Sequence, residues 1–197
     1  MSPKQQRGAE TSDRLLDAAL RVYADTGEQG VTVHALTQAS GASPGSLYHH
    51  FGSVDGLMNE LLMRWLGRLL GELGPCLAPA RTACAGIRAL TRAYLAFITE
   101  HPDAARLLHS SRADRLTMAQ AQQLRDAQEA RLSPLTGWLR HHVASGELAA
   151  LPEPLLESMI LGPVIAVARS WLAGVRDIDL DQAARVLPER IWRSVAA

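Results

Sequence analysis

Between Thr32 and Phe51 the chain carries the start and stop signals of two consecutive short helices. Thr32 is a candidate N-cap, Leu36 and Ala39 share an inward face, and Gly41 suits the left-handed backbone that ends a helix. The reciprocal Glu of a capping box is missing, since Ala35 stands at that position. Ser43 is a second N-cap, and Pro44 fits the first helical position, where its missing N–H costs nothing. Leu47 and Phe51, four apart, bury on one side and leave Ser46, His49 and His50 pointing elsewhere. Gly52 closes this helix, and Ser53 caps a longer one expected from Val54 to about Leu73. Two short helices about a tight glycine turn, with a third behind them, outline a helix-turn-helix.

The rest of the chain repeats the helical period, with no convincing strand pattern. Upstream, Leu15, Leu16, Ala19, Leu20, Val22 and Tyr23 form one stripe, with Ser12 as the expected cap and Gly27 as the stop. Downstream, "GPCLAP" reads as a linker or kink. A helix then follows with Ile87, Leu90, Tyr94, Leu95 and Ile98 inward, closed by His101-Pro102, and a short helix comes next. A long pattern from Thr117 to Ser145 is split at Pro134 and closed by Gly146. Pro154–Val175 is strongly apolar, and Leu180–Val195 is amphipathic apart from Pro188. The expectation is an all-α protein. Residues 1–56 form a three-helix helix-turn-helix module, a connecting helix spans about 54–73, and 74–197 form a larger helical domain.

Composition narrows the alternatives. The 197 residues suffice for one large domain or two small ones. With 47% apolar but 5% aromatic residues, Leu and Ala carry the packing. No uninterrupted run approaches the ~20 apolar residues that span a bilayer, and "MILGPVIAVA" is broken by Pro163. The polar N-terminus lacks the apolar centre of a signal peptide, so the expected location is cytoplasmic, with no membrane partner. In that reducing compartment Cys76 and Cys84 are expected as free thiols, and alone they give no zinc spacing.

Catalytic and metal chemistry find little purchase. His49-His50 and His141-His142 are adjacent pairs whose side chains diverge by ~100° on a helix, so neither chelates one ion easily. There is no His-Glu-x-x-His, Gly-x-Ser-x-Gly or phosphate-binding glycine loop. His101, Asp103 and His109, flanking a helix break, are the one grouping that keeps a metal enzyme in view. The expectation is no enzyme, no metal and no cofactor.

"LLDAALRVYADTG" followed by "TVHALTQASGASPGSLYHHF" resembles the tetracycline-repressor (TetR) family of bacterial transcription regulators. That family's pattern is roughly Thr-x-x-x-Ile-Ala-x-x-Ala-Gly-Val-Ser-x-Gly-Thr-Leu-Tyr-x-His-Phe. Thr32, Leu36, Gly41, Ser43, Gly45, Ser46, Leu47, Tyr48, His50 and Phe51 match it or substitute conservatively, while Thr37, Ser40 and Ala42 replace Ala, Ala and Val. The resemblance implies a homodimer whose N-terminal module binds a double-stranded DNA operator and whose C-terminal domain holds an effector pocket and the dimer interface.

It also implies roles. The DNA-binding set is Thr32, His34, Ser43, Pro44, Gly45, Ser46, Tyr48, His49 and His50. Tyr48 and His50 resemble phosphate-contacting residues, and Thr32 and Ser46 offer hydroxyls to phosphate. Pro44 and Gly45 approach thymine methyls, His49 offers a ring N–H to guanine N7, and His34 matches a position that sometimes reads a base. Tyr94, Phe97, Trp138 and Met159 would line a pocket for a mostly apolar small molecule, anchored by the Tyr94 hydroxyl or the Trp138 N–H. The expected interface comprises Leu156, Ile160, Pro163, Val164, Val167, Trp171 and Leu172 with Leu187, Ile191 and Trp192, since an apolar helix late in the chain needs a cover.

The resulting expectation is a ligand-responsive DNA-binding regulator, a repressor released from its operator by its effector. One observation favours a rival. Residues 1–56 carry four basic residues against six acidic ones, net −2, and Val54 stands where the family commonly has Lys. Phosphate affinity comes mainly from cations, so bulk DNA affinity should be weak unless Lys4, Arg7 and helix-start N–H groups compensate. The rival is a helical binding module of the same fold, with weakened DNA affinity, that acts through protein or small-molecule partners.

Overall fold

Thr32, Gly41, Ser43 and Gly52 punctuate the chain as their chemistry requires. In the computed structural model, which describes residues 3–119 and 135–197, α1 spans Pro3–Gly30, α2 Val33–Ser40, α3 Pro44–Phe51 and α4 Val54–Leu77. The Thr32 side chain accepts from Ala35 N–H, Ser43 accepts from Ser46 N–H, and Gly41 takes φ 67° while its N–H donates to Thr37 O. An L side chain rarely adopts that backbone, so the tight turn between α2 and α3 depends on glycine there. Ser53 Oγ accepts from Gly56 N–H at the start of α4.

Two boundaries differ from expectation. α1 starts at Pro3 rather than at Ser12, because Gln5, Gln6, Arg7, Ala9 and Glu10 are good helix formers and nothing among them stops the helix. Its regular geometry breaks at Gly27 (φ 71°, ψ −175°), where a stop was expected. α4 runs through Pro75 to Leu77 instead of yielding at "GPCLAP". A proline so near the C-terminal end removes one helical hydrogen bond but leaves little helix beyond it to disrupt.

The remaining elements are α5 Ala83–Glu100, α6 Pro102–Leu108, α7 Ser111–Ala119, a helix over 135–144 (α8), α9 Glu153–Leu172 and α10 Leu180–Val195. The part of the expected 117–145 pattern that includes Pro134 lies outside the described residues. Among the described residues no strand forms, and the one isolated bridge pairs Leu148 with Ala196.

The chain divides into two compact units. One comprises Met1–Leu66 and Arg106–Leu116, the other Gly67–Ala105 and Thr117–Ala197. In the first, α1 packs on α2 and α3. Its core gathers Leu15, Leu16, Ala18, Ala19, Leu36, Leu47, Leu57, Met58, Leu61 and Leu62, all buried. In the second, α5, α9 and α10 pack mutually. Ile87, Leu90, Leu95, Phe97 and Ile98 of α5 are buried in that unit, as are Leu156, Ile160, Val164 and Ala168 of α9.

α9 also departs from the sequence reading of membrane spans. Its 20 residues, at mean hydropathy 1.4, are long and apolar enough to cross a bilayer by length and composition. Counting uninterrupted runs missed this because Ser158, Gly162 and Pro163 break the run without adding charge. One face of the helix packs on α5 and α10, and 22% of the window is buried.

Candidate nucleic-acid interface

The helix-turn-helix separates its residues cleanly into two faces. Leu36, Ala42 and Leu47 turn into the core of the first unit, while Thr32, His34, Ser43, Pro44, Gly45, Tyr48, His49 and His50 are exposed. Ser46 is half-buried because its hydroxyl pairs with Ser43 Oγ at 3.0 Å. Tyr48, 52% exposed, belongs to the surface and not to the core. His49 and His50 occupy the last turn of α3, at the negative end of the helix dipole, and their rings meet edge-on 5.3 Å apart. A Cβ built on Gly45 would meet only Ser43 Oγ at 3.8 Å, so the chain's own packing does not demand glycine there.

The charge around this face is not what residues 1–56 alone suggest. Arg112 Nε donates to Glu28 Oε1 at 3.0 Å and its Nη2 to Asp55 Oδ1 at 2.9 Å. Arg115 Nη2 reaches the same Glu28 oxygen at 3.1 Å. Arg64 takes Asp13 and Asp17 at 3.6 and 3.2 Å. Over the first unit, Met1–Leu66 with Arg106–Leu116, eight basic residues balance eight acidic ones, so the net charge is zero, not −2. The segment 106–116 belongs to this unit through contacts that a linear count cannot register. Beside Arg112, Tyr23 is half-buried. Burial pushes its phenol above the ordinary range, against the hydrogen bond to Ser110.

In the second unit Tyr94, Phe97 and Trp138 are buried, at 5, 1 and 8% exposure, and Met159 is half-buried. Burial raises the Tyr94 phenol far above its usual range, opposed by the Arg169 charge. Trp138 Nε1 and Thr91 Oγ1 are buried without a hydrogen-bond partner among the described residues. A groove of about 450 Å³ is lined by other residues, among them Arg92, Thr99, Glu100 and Arg185. So is a cleft of about 240 Å³ between Leu139, Val143, Leu151 and Leu156.

Of the residues assigned to a dimer interface, Leu156, Ile160, Val164 and Ile191 are at most 2% exposed within the single chain. They are spent in its own core and offer no surface to a partner. Val167, Trp171, Leu172, Leu187 and Trp192 are half-buried, and Pro163 is exposed. α9 is apolar nearly all round, which is why the sequence could not tell its inner face from its outer one. The opposite stripe, Leu155, Met159, Gly162 and Ala166, stays exposed or half-buried.

His142 is buried and pairs through Nδ1 with Glu147 Oε1 at 3.1 Å, with the Trp138 ring 4.8 Å away. Among the described residues no group of three or more His, Cys, Asp or Glu could hold a metal ion. His101 instead lies edge-on to Phe97 at 5.0 Å. Cys76 and Cys84 are free thiols.

Comparison with known proteins fits this arrangement. The family model for bacterial regulatory proteins of the tetR family matches residues 15–61, from within α1 through the first third of α4. Over that span the chain carries a TetR-type helix-turn-helix domain. It is 35% identical over 88 residues to the HTH-type transcriptional repressor KstR2 of Rhodococcus jostii, covering 44% of this chain and 43% of that one. With KstR2 of Mycolicibacterium smegmatis it shares 32% over 111 residues, 55% and 53% of the two chains. The chain thus spans about half the length of the curated relatives it matches. Its fold extends further. A TetR family transcription regulator from Marinobacter aquaeolei superposes with TM-score 0.78 at 20% identity, covering 98% of each chain. FadR of Bacillus subtilis, solved in complex with stearoyl-CoA, does so with TM-score 0.75 at 18% identity, covering 91% and 96%.

Proposed function

We propose that this protein is a DNA-binding transcriptional regulator, a repressor that reads a double-stranded operator through α3 and releases it on binding a mostly apolar small molecule. The carrying observation is the exposed set Thr32, Ser43, Tyr48, His49 and His50 on one face of a capped helix-turn-helix, with Leu36 and Leu47 behind it. α3 enters the major groove. Tyr48, His50 and the Thr32 hydroxyl hold phosphates, and Pro44, Gly45 and His49 meet base edges, with His34 beside them. Gly45, free of any packing demand, lets the backbone come close.

The protein works as a homodimer, since successive major grooves on one DNA face lie ~34–36 Å apart and two copies of α3 must match that spacing. The partner covers the outer stripe of α9, Leu155, Met159, Gly162 and Ala166, together with the half-buried Trp171, Leu187 and Trp192. The effector occupies the second unit near Tyr94, Thr91 and Trp138, whose unpartnered N–H and hydroxyl supply its polar anchors. FadR of Bacillus subtilis, a neighbour in fold, binds stearoyl-CoA, whose acyl chain is apolar and whose CoA group is charged. Release requires that the effector bind one of two arrangements of the dimer more tightly, because equal affinity shifts nothing.

The rival, a DNA-deficient binding module, keeps Val54 in its favour but not the net −2, which becomes zero when the whole first unit is counted. The deciding experiment is binding of the purified protein to its own upstream DNA at two salt concentrations, for wild type and Tyr48→Ala. Salt-sensitive binding lost in the variant supports the regulator. No binding by wild type at low salt leaves the rival standing.

A further inference from the structure

From Val31 to Val54, across α2, the turn and α3, the chain contains no Asp, Glu, Lys or Arg. Its only basic side chains are His34, His49 and His50, and all three are exposed. A surface that meets phosphate normally relies on fixed Lys and Arg charges. Between Val31 and Val54 there is none, and the unit that bears this stretch is neutral when histidine is neutral.

The charged groups around these rings are mostly engaged elsewhere. α1 is the element packed on α2 and α3. Its Asp13 and Asp17 are held by Arg64, Arg14 reaches Thr11, and Arg21 donates to the Ala39 carbonyl at the end of α2. Glu28 and Asp55 are held by Arg112. Gly8 of α1 lies against the His50 ring, where a Cβ would sit 3.7 Å from Cε1. Glu10, two residues beyond Gly8 on α1, makes no ion pair with His50 among the described residues, and Asp25 lies at the far end of α1. The neighbours of the His50 ring are the His49 ring and, at 6.1 Å, the Phe51 ring.

We propose that this protein's DNA affinity is pH-gated, with His34, His49 and His50 supplying as protonated imidazoles the positive charge that α2, the turn and α3 otherwise lack. The inference rests on the DNA-reading function proposed above and concerns the regulation of that same site. The sign follows from linkage. A phosphate-bound imidazole is favoured in its protonated form, so binding takes up protons and affinity rises as pH falls through the histidine range. Each protonated ring that displaces a counterion also steepens the salt dependence, by about 0.9 in the slope of log affinity against log salt.

The test uses the full chain and two duplexes, its own upstream DNA and a scrambled sequence, from about 50 to 200 mM salt at about pH 6 and pH 8. The expected result is affinity roughly tenfold higher at the lower pH, with a slope steeper by about 0.9 for each histidine that meets phosphate. The triple variant His34→Gln, His49→Gln, His50→Gln should keep its melting temperature, since all three rings are exposed, and should lose the difference between the two pH values. Measurable binding with equal slopes at both pH values overturns the gate while leaving the DNA-reading function intact. A pH effect that survives in the triple variant also overturns it, placing the proton uptake at other groups. No binding to either duplex at the lowest salt overturns both.

Discussion

Arg112 Nη2 lies 2.9 Å from Asp55 Oδ1, joining residues 57 apart in the chain. The same guanidinium holds Glu28, so one side chain ties the end of α1 to the start of α4. Arg112 is only 16% exposed, whereas Asp55 is 78% exposed. The contribution therefore falls between that of a surface pair and that of a buried one. Arg112→Ala should cost about 1–2 kcal/mol, because Glu28 loses its main partner in a partly desolvated site. Arg112→Lys should recover part of the loss, since a point charge cannot hold both carboxylates as a planar fork does. Urea denaturation of the three proteins measures this. A loss below about 0.3 kcal/mol for the alanine variant would show that the fork adds nothing to stability.

The caps of the helix-turn-helix make a second, independent claim. Ser43 Oγ accepts from Ser46 N–H at 3.2 Å, and Thr32 Oγ1 accepts from Ala35 N–H at 3.2 Å. In eight-residue helices a lost cap has few other hydrogen bonds to share the loss. Ser43→Ala and Thr32→Ala should each destabilise by about 1 kcal/mol, and Ser43→Asp should restore much of the first, because aspartate caps as well as serine. Denaturation midpoints at neutral pH would decide it, and an aspartate variant no better than alanine would refute the capping role.

These caps show where the sequence was readable. A cap, a left-handed glycine and a proline at the first helical position act within four residues, so Thr32, Gly41, Ser43 and Pro44 declared α2 and α3 directly. The outward position of His49 and His50 followed from the same periodicity, and α10 was bounded by its own amphipathic stripe. What failed was nonlocal. Arg112 and Arg115 carry no local signal that they serve Glu28. In α9 the buried stripe of Leu156, Ile160 and Val164 is no more apolar than its outer neighbours, so the sequence could not say which side met the chain's own core. The Glu147–His142 pair, five residues apart around a turn, was missed because its purpose lies at Ala83.

Gly86 sets two opposing effects against each other. Within α5 a glycine is unfavourable by ~1 kcal/mol relative to alanine, so on propensity alone Gly86→Ala should stabilise. Yet a Cβ there would sit 2.7 Å from Trp138 Cε2 and 2.9 Å from Nε1, inside contact distance of a buried indole. Overpacking of that kind costs typically ~1–3 kcal/mol, and a ring cannot retreat as a flexible chain end can. The clash should win. Gly86→Ala is expected to be less stable than wild type and to shift the tryptophan fluorescence as Trp138 moves. Increased stability with an unchanged spectrum would mean that the indole yields freely.

Glu147 supplies the acid-side prediction. Its Oε2 accepts from Ala83 N–H at 2.7 Å, at the start of α5, and its Oε1 meets His142 Nδ1. The Ala83 hydrogen bond is the main reason that the carboxyl is held below its usual range, with His142 adding to it and desolvation opposing. A carboxylate depressed in the folded state contributes stability above its unfolded value, near ~4.3, and loses it as pH falls through the lower folded value. Glu147→Gln keeps an oxygen for Ala83 but no charge, so it lacks that titrating contribution. Wild type should therefore exceed the variant in stability at about pH 7, and the gap should close as pH falls below ~4. Urea midpoints for both proteins across that range measure the gap directly. Parallel curves would mean that the Ala83 N–H and His142 do not favour the ionised carboxylate, and that the turn at residues 145–149 holds α5 by shape alone.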